Sequence, residues 1–94
     1  MVLSLTQSAF VKESERLARY ISEGIGRKVD WPDRGVKQAG FLVLWEVTMP
    51  SVLVEAGFLS NAGQRNDLRK SSVKHRIAEG IFEGIKKFIE EARR

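Results

Sequence analysis

The 94-residue chain has no cysteine, which removes disulfide frameworks, cysteine-based zinc sites and thiol nucleophiles together. It has one histidine, His75, so this chain alone cannot assemble a multi-histidine metal site. Two prolines and eight glycines are too few for a low-complexity or collagen-like polymer. No apolar run approaches the ~20 residues of a membrane-spanning helix. Met1 to Leu5 is too short, and has no basic leader, to read as a signal peptide. The absence of cysteine fits oxidising and reducing compartments alike, so it does not place the protein.

What is present describes an ordinary globular chain, 43% hydrophobic and 30% charged. Its length suits one domain over 1–94 and no second core. The net charge of +4 is unevenly placed. Seven basic and seven acidic side chains cancel in residues 1–55, and nine basic against five acidic ones in 56–94 carry the whole excess. The densest stretch holds Arg65, Arg69, Lys70, Lys74 and Arg76 against Asp67 alone. A polyanion-binding surface is one reading of it. No aromatics interleave for base stacking, so a solvated helix face is the simpler reading and nucleic acid is not an expected partner.

Phe10, Leu17, Ala18, Ile21 and Ile25 form a 3.6-residue stripe, predicting a helix over 10–25. Ser4 with Gln7 has capping-box spacing, Thr6 and Ser8 compete as caps, and Gly24 and Gly26 read as stops. Asp30-Trp31-Pro32-Asp33 reads as a loop. Phe41 to Trp45 is a continuous apolar run that suits a strand covered on both faces. A second short strand is expected over 51–55, behind Thr48-Met49-Pro50. The connection is too short for a parallel crossover, so direct pairing of the two would be antiparallel. Asn61 with Gln64 suggests a short helix reaching about Arg69. Ser71 or Ser72 then caps a last helix striped by Ile77, Ala78, Ile81, Ile85, Phe88 and Ile89. Gly80 and Gly84 lie inside that helix, where four-residue spacing suggests close approach to a sheet. The fold class is α/β, with three helices and two short adjacent strands.

Glu55 ends an apolar strand and is followed at once by Ala-Gly, at the carboxyl edge where α/β proteins build their sites. General acid/base work is one role for such a carboxylate. A solvated or ion-paired glutamate at a strand end is the other reading, and position alone favours it. Trp31 and Trp45 are of a type that stacks on sugar rings, although Trp45, inside the apolar run, reads as core.

The stretch Arg34-Gly35-Val36-Lys37-Gln38-Ala39-Gly40-Phe41-Leu42-Val43-Leu44, followed by Met49-Pro50-Ser51-Val52-Leu53-Val54-Glu55-Ala56-Gly57-Phe58-Leu59-Ser60-Asn61, closely resembles the zinc-dependent N-acetylmuramoyl-L-alanine amidases of the amidase-3 family. Ile77-Ala78-Glu79-Gly80-Ile81 with Gly84-Ile85 is similar to that family's last helix. The resemblance spans nearly the whole chain but only the C-terminal half of the family's three-layer α/β/α domain. It implies a hydrolase of peptidoglycan, cutting the amide between N-acetylmuramic acid and L-alanine of the stem. It further implies a place in the cell envelope, periplasmic or extracellular. Glu55 matches the family's catalytic glutamate. The family's zinc ligands, a histidine, a glutamate and a second histidine, match nothing in this chain, so no metal is expected on the fragment and it is expected to be inactive alone. Arg34 and Lys37 fall in the family's Arg-Gly-Val-Lys segment, where each either meets stem carboxylates or pins the loop to an acid such as Asp33. His75, between Lys74 and Arg76, reads as a surface histidine. Gln64 stands where the family more often has an acid, which touches the helix cap and no catalytic role.

Two rival readings remain: an amidase-like binding or assembly module that docks on a partner supplying the other half, and a small basic polyanion-binding domain using Arg65 to Arg76. As an isolated fragment the chain is also expected to dimerise or swap strands, burying Phe41, Val43, Val52 or Val54 against a second copy.

Overall fold

The computed structural model describes residues 2–5, 10–30, 36–38, 48–55 and 62–94. They form strands β1 (Val2–Leu5), β2 (Val36–Gln38) and β3 (Leu53–Glu55), and helices α1 (Val11–Gly26), α2 (Ala62–Leu68) and α3 (Ser71–Ala92). The α/β class and the three helices are as the sequence suggests. The strand expected over 41–45 lies outside the described residues, and so does its pairing.

The sheet order is β2-β1-β3. β2 runs parallel to β1, with Leu3, Ser4 and Leu5 opposite Val36, Lys37 and Gln38. A parallel pair needs a long crossover, and α1 supplies it. β3 lies on the other side of β1 and runs antiparallel, with Val2, Leu3 and Ser4 opposite Glu55, Val54 and Leu53. The sequence announces neither β1 nor β2, because strands of four and three residues are too short to establish a period.

The helix starts differ from expectation. Ser4 is a strand residue, so it caps nothing, and α1 begins after Phe10 with no side-chain cap. α3 begins after Lys70, again without a side-chain cap, and Ser71 is its first residue. Gly24 is no stop. It is buried within α1, and Gly26 is the last helical residue.

The core is the seam between α1 and α3, built from Ala18, Ile21, Ile25, Val73 and Ile77. The glycines of α3 approach this helix rather than a sheet. A Cβ on Gly80 would stand 2.7 Å from the Ile25 backbone, and one on Gly84 would stand 2.5 Å from that of Ile21. A Cβ on Gly24 would meet the Gly80 carbonyl oxygen at 2.1 Å. Only residues without side chains let the two backbones come this close. Val52 and Val54 pack on the same cluster, which seats β3 against the helices. Those two valines are therefore half-buried in their own chain, while Phe41 and Val43 lie outside the described residues.

Around this seam Lys28 Nζ lies 3.1 Å from Glu83 and 3.8 Å from Glu79, Arg27 lies 3.7 Å from Glu83, and Lys87 lies 3.8 Å from Glu23. The apolar stripe predicted for the last helix is wider than the face it packs. Ile81 and Phe88 are half-buried, but Ala78, Ile85 and Ile89 are exposed.

Candidate functional site

Glu55 is the last residue of β3 and is exposed. Its placement follows from the register. Val54 packs on the α1–α3 cluster, so strand alternation puts Leu53 and Glu55 on the opposite face. Val2 and Ser4 pair with Glu55 and Leu53, and Lys37 pairs with Ser4, so position 37 shares the face of position 55. Two strand spacings and two residue rises separate the two positions, which makes their Cα atoms about 12 Å apart. Glu55 thus stands at a strand end on the side of the sheet away from α1. Arg34, the other residue of the basic segment, lies outside the described residues, as do Trp31, Trp45 and the Ala-Gly that follows Glu55.

One contact that sets β3 in place has no cue in the sequence. The Ser51 N–H donates to Ser14 Oγ at 3.0 Å, tying the approach to β3 onto α1 across 37 residues. Ser14 is almost wholly buried, and a serine at that depth needs such a partner.

The remaining candidates lie elsewhere. His75 is an exposed α3 residue whose Nε2 is 3.1 Å from Glu79. In the basic stretch Lys70 is paired with an acid, its Nζ 3.7 Å from Asp67, while Arg76 Nε donates to the Ser72 carbonyl at 3.4 Å and keeps its charge. Gln64 is buried in α2. A cavity of about 210 Å³ opens between the end of α1, α2 and the start of α3, lined by Val29, Asp30, Asp67, Lys70, Val73 and Arg76. It takes nothing from the sheet. Among the described residues no three His, Asp or Glu side chains gather in a way that would hold a metal ion. No described helix is long and apolar enough to cross a membrane.

What the fold and the site define is an α/β unit whose strand end carries an exposed carboxylate. The chain belongs to the N-acetylmuramoyl-L-alanine amidase family, whose sequence profile matches residues 2–87. It is 34% identical over 88 residues to the amidase AmiC of Neisseria meningitidis serogroup B, covering 94% of this chain and 21% of that protein. To the amidase LytC of Bacillus subtilis it is 39% identical over 71 residues, covering 76% of this chain and 14% of that one. The crystal structure of an N-acetylmuramoyl-L-alanine amidase from Clostridium difficile 630 superposes with a TM-score of 0.87 at 28% identity, over 95% of this chain and 47% of that one. The chain therefore spans about half of the solved amidase, about a fifth of the Neisseria relative and about a seventh of the Bacillus one.

Proposed function

We propose that the chain is the acid/base part of a peptidoglycan amidase, with Glu55 as its proton-transfer residue. The observation that carries this reading is the position of the exposed Glu55 as the last residue of β3, on the face away from α1, in a chain of the amidase family. The substrate is the amide between the lactyl group of N-acetylmuramic acid and L-alanine. Glu55 accepts a proton from the attacking water and returns it to the departing alanine nitrogen. Lys37, on the same face, and Arg34 in the same segment meet the carboxylates of the peptide stem. The site of action is the cell envelope outside the cytoplasmic membrane, where the polymer lies.

Zinc is the group that the family implies. With one histidine and no cysteine, and no metal-holding cluster among the described residues, these 94 residues do not fit a zinc centre. Glu55 alone moves protons but leaves the scissile carbonyl unpolarised. The working unit therefore needs a complementary half that brings the metal ligands, and the isolated chain is inactive.

The experiment joins this chain behind the ligand-bearing half of a relative's domain and measures release of muropeptide amino groups and bound zinc. Glu55→Gln keeps the shape and loses the proton acceptor, so turnover falls about 10²–10⁴-fold, the usual share of general acid/base catalysis, with zinc content unchanged. Full turnover in the variant removes Glu55 from the chemistry, and lost zinc makes it a ligand or a support instead.

A further inference from the structure

On the outer side of α3, Phe82, Ile85 and Ile89 are 65%, 39% and 43% exposed. Ala78 and Ala92 are exposed beside them. The spacing 78, 82, 85, 89, 92 alternates four and three residues, the 3.5-residue repeat of a coiled-coil seam. This seam lies roughly 120° around the helix from Val73, Ile77, Gly80 and Gly84, which face α1, so both sides can be occupied at once. We propose that it is a self-association surface, on which α3 of a second copy packs antiparallel about a two-fold axis beside Glu83 and Gly84.

Size and charge together set that register. With the axis there, Phe82 faces Ile85 of the second copy, Ala78 faces Ile89, and His75 faces Ala92, each twice by symmetry. Large residues meet smaller ones in every layer. Along one flank of the seam, Glu79, Lys86 and Arg93 recur at seven-residue intervals. The same register puts Glu79 within two residues of level with Lys86 of the second copy, giving two reciprocal opposite-charge pairs. Lys86 is exposed and takes part in none of the ion pairs found among the described residues. Glu79 already draws His75 at 3.1 Å and Lys28 at 3.8 Å, and a facing lysine joins that cluster. A parallel arrangement pairs this flank with Lys74, Ile81 and Phe88 of the other. It keeps an opposite charge only for Glu79 with Lys74, sets Lys86 and Arg93 against apolar residues, and stacks Phe82 on its own copy. The surface stands apart from the amidase reading, since no residue of the sheet contributes to it.

Sedimentation velocity on the 94-residue chain from roughly 1 to 200 μM tests this, the range suited to an interface at the small end of the size scale. The dimer fraction rises across that range, and Ile85→Glu raises the dissociation constant at least tenfold while far-UV circular dichroism stays unchanged. Glu79→Lys and Lys86→Glu each weaken self-association by placing like charges together. Mixed one to one they pair again, because every Glu then meets a Lys. A chain that stays monomeric throughout overturns the proposal. So does a dimer indifferent to Ile85→Glu, which moves association to a strand edge, or a mixture that shows no recovery.

Discussion

A single methyl group separates two kinds of glycine in this chain. Gly80→Ala drives a Cβ into the Ile25 backbone, which has no flexible end to give way. Overpacking of this kind costs about 1–3 kcal/mol. A methyl added at Gly26 would meet nothing within 4 Å, so Gly26→Ala gains up to about 1 kcal/mol through the unfolded chain. Urea titration of the two variants should therefore move the midpoint in opposite directions, and equal shifts would contradict the close helix approach. Tyr20 offers a second test, as the chain's one tyrosine. Its hydroxyl donates to Glu91, and that bond, with burial and the carboxylate charge added, raises its pKa above the usual phenol value. The folded state holds this proton more tightly than the unfolded one, so its contribution is full below about pH 10 and is lost as pH rises through the folded value. Tyrosinate absorbance should titrate above pH 10, and Glu91→Gln should bring the midpoint down towards it. A wild-type midpoint at or below the ordinary value would contradict the contact. Neither feature is legible in the sequence, which spaces Gly80 and Gly84 correctly but does not say what lies opposite them.

Among the elements, legibility follows length. α1 and α3 persist for enough turns that their apolar stripes declare them, whereas β1 and β2 are short and set their register only through pairing. Cap spacing misleads for the same local reason. Ser4 has the right separation from Gln7, but pairing with Lys37 and Leu53 claims it for the sheet. The ion pairs that α3 makes with α1 and with the two residues after it join side chains that are between about a quarter and three-fifths exposed, so each contributes no more than about 1 kcal/mol. The buried Ser14 matters more. Ser14→Ala leaves the Ser51 N–H without its acceptor and should cost about 1–3 kcal/mol, loosening the approach to β3. Hydrogen exchange at Ser51 should quicken in that variant. Unchanged exchange with unchanged stability would show that β3 is held by Val52 and Val54 alone.

At the scale of the whole molecule, the described residues hold a strand end with a carboxylate and a sheet face packed on the helices, and the chain spans about half the length of a solved amidase of its family. Glu55 stands out in the sequence through the motif around it. The register then adds what the motif lacks, the face on which the carboxylate stands. The division of labour proposed here is that this half transfers protons and a complementary half polarises the carbonyl. The most direct measurement is release of amino groups from purified peptidoglycan in the presence of zinc, by the 94-residue chain alone and by the chain joined to a ligand-bearing half. Activity in the joined protein that Glu55→Gln abolishes, with none from the chain alone, is the predicted result. Hydrolysis by the chain alone, or by the joined Glu55→Gln variant at the wild-type rate, would contradict it.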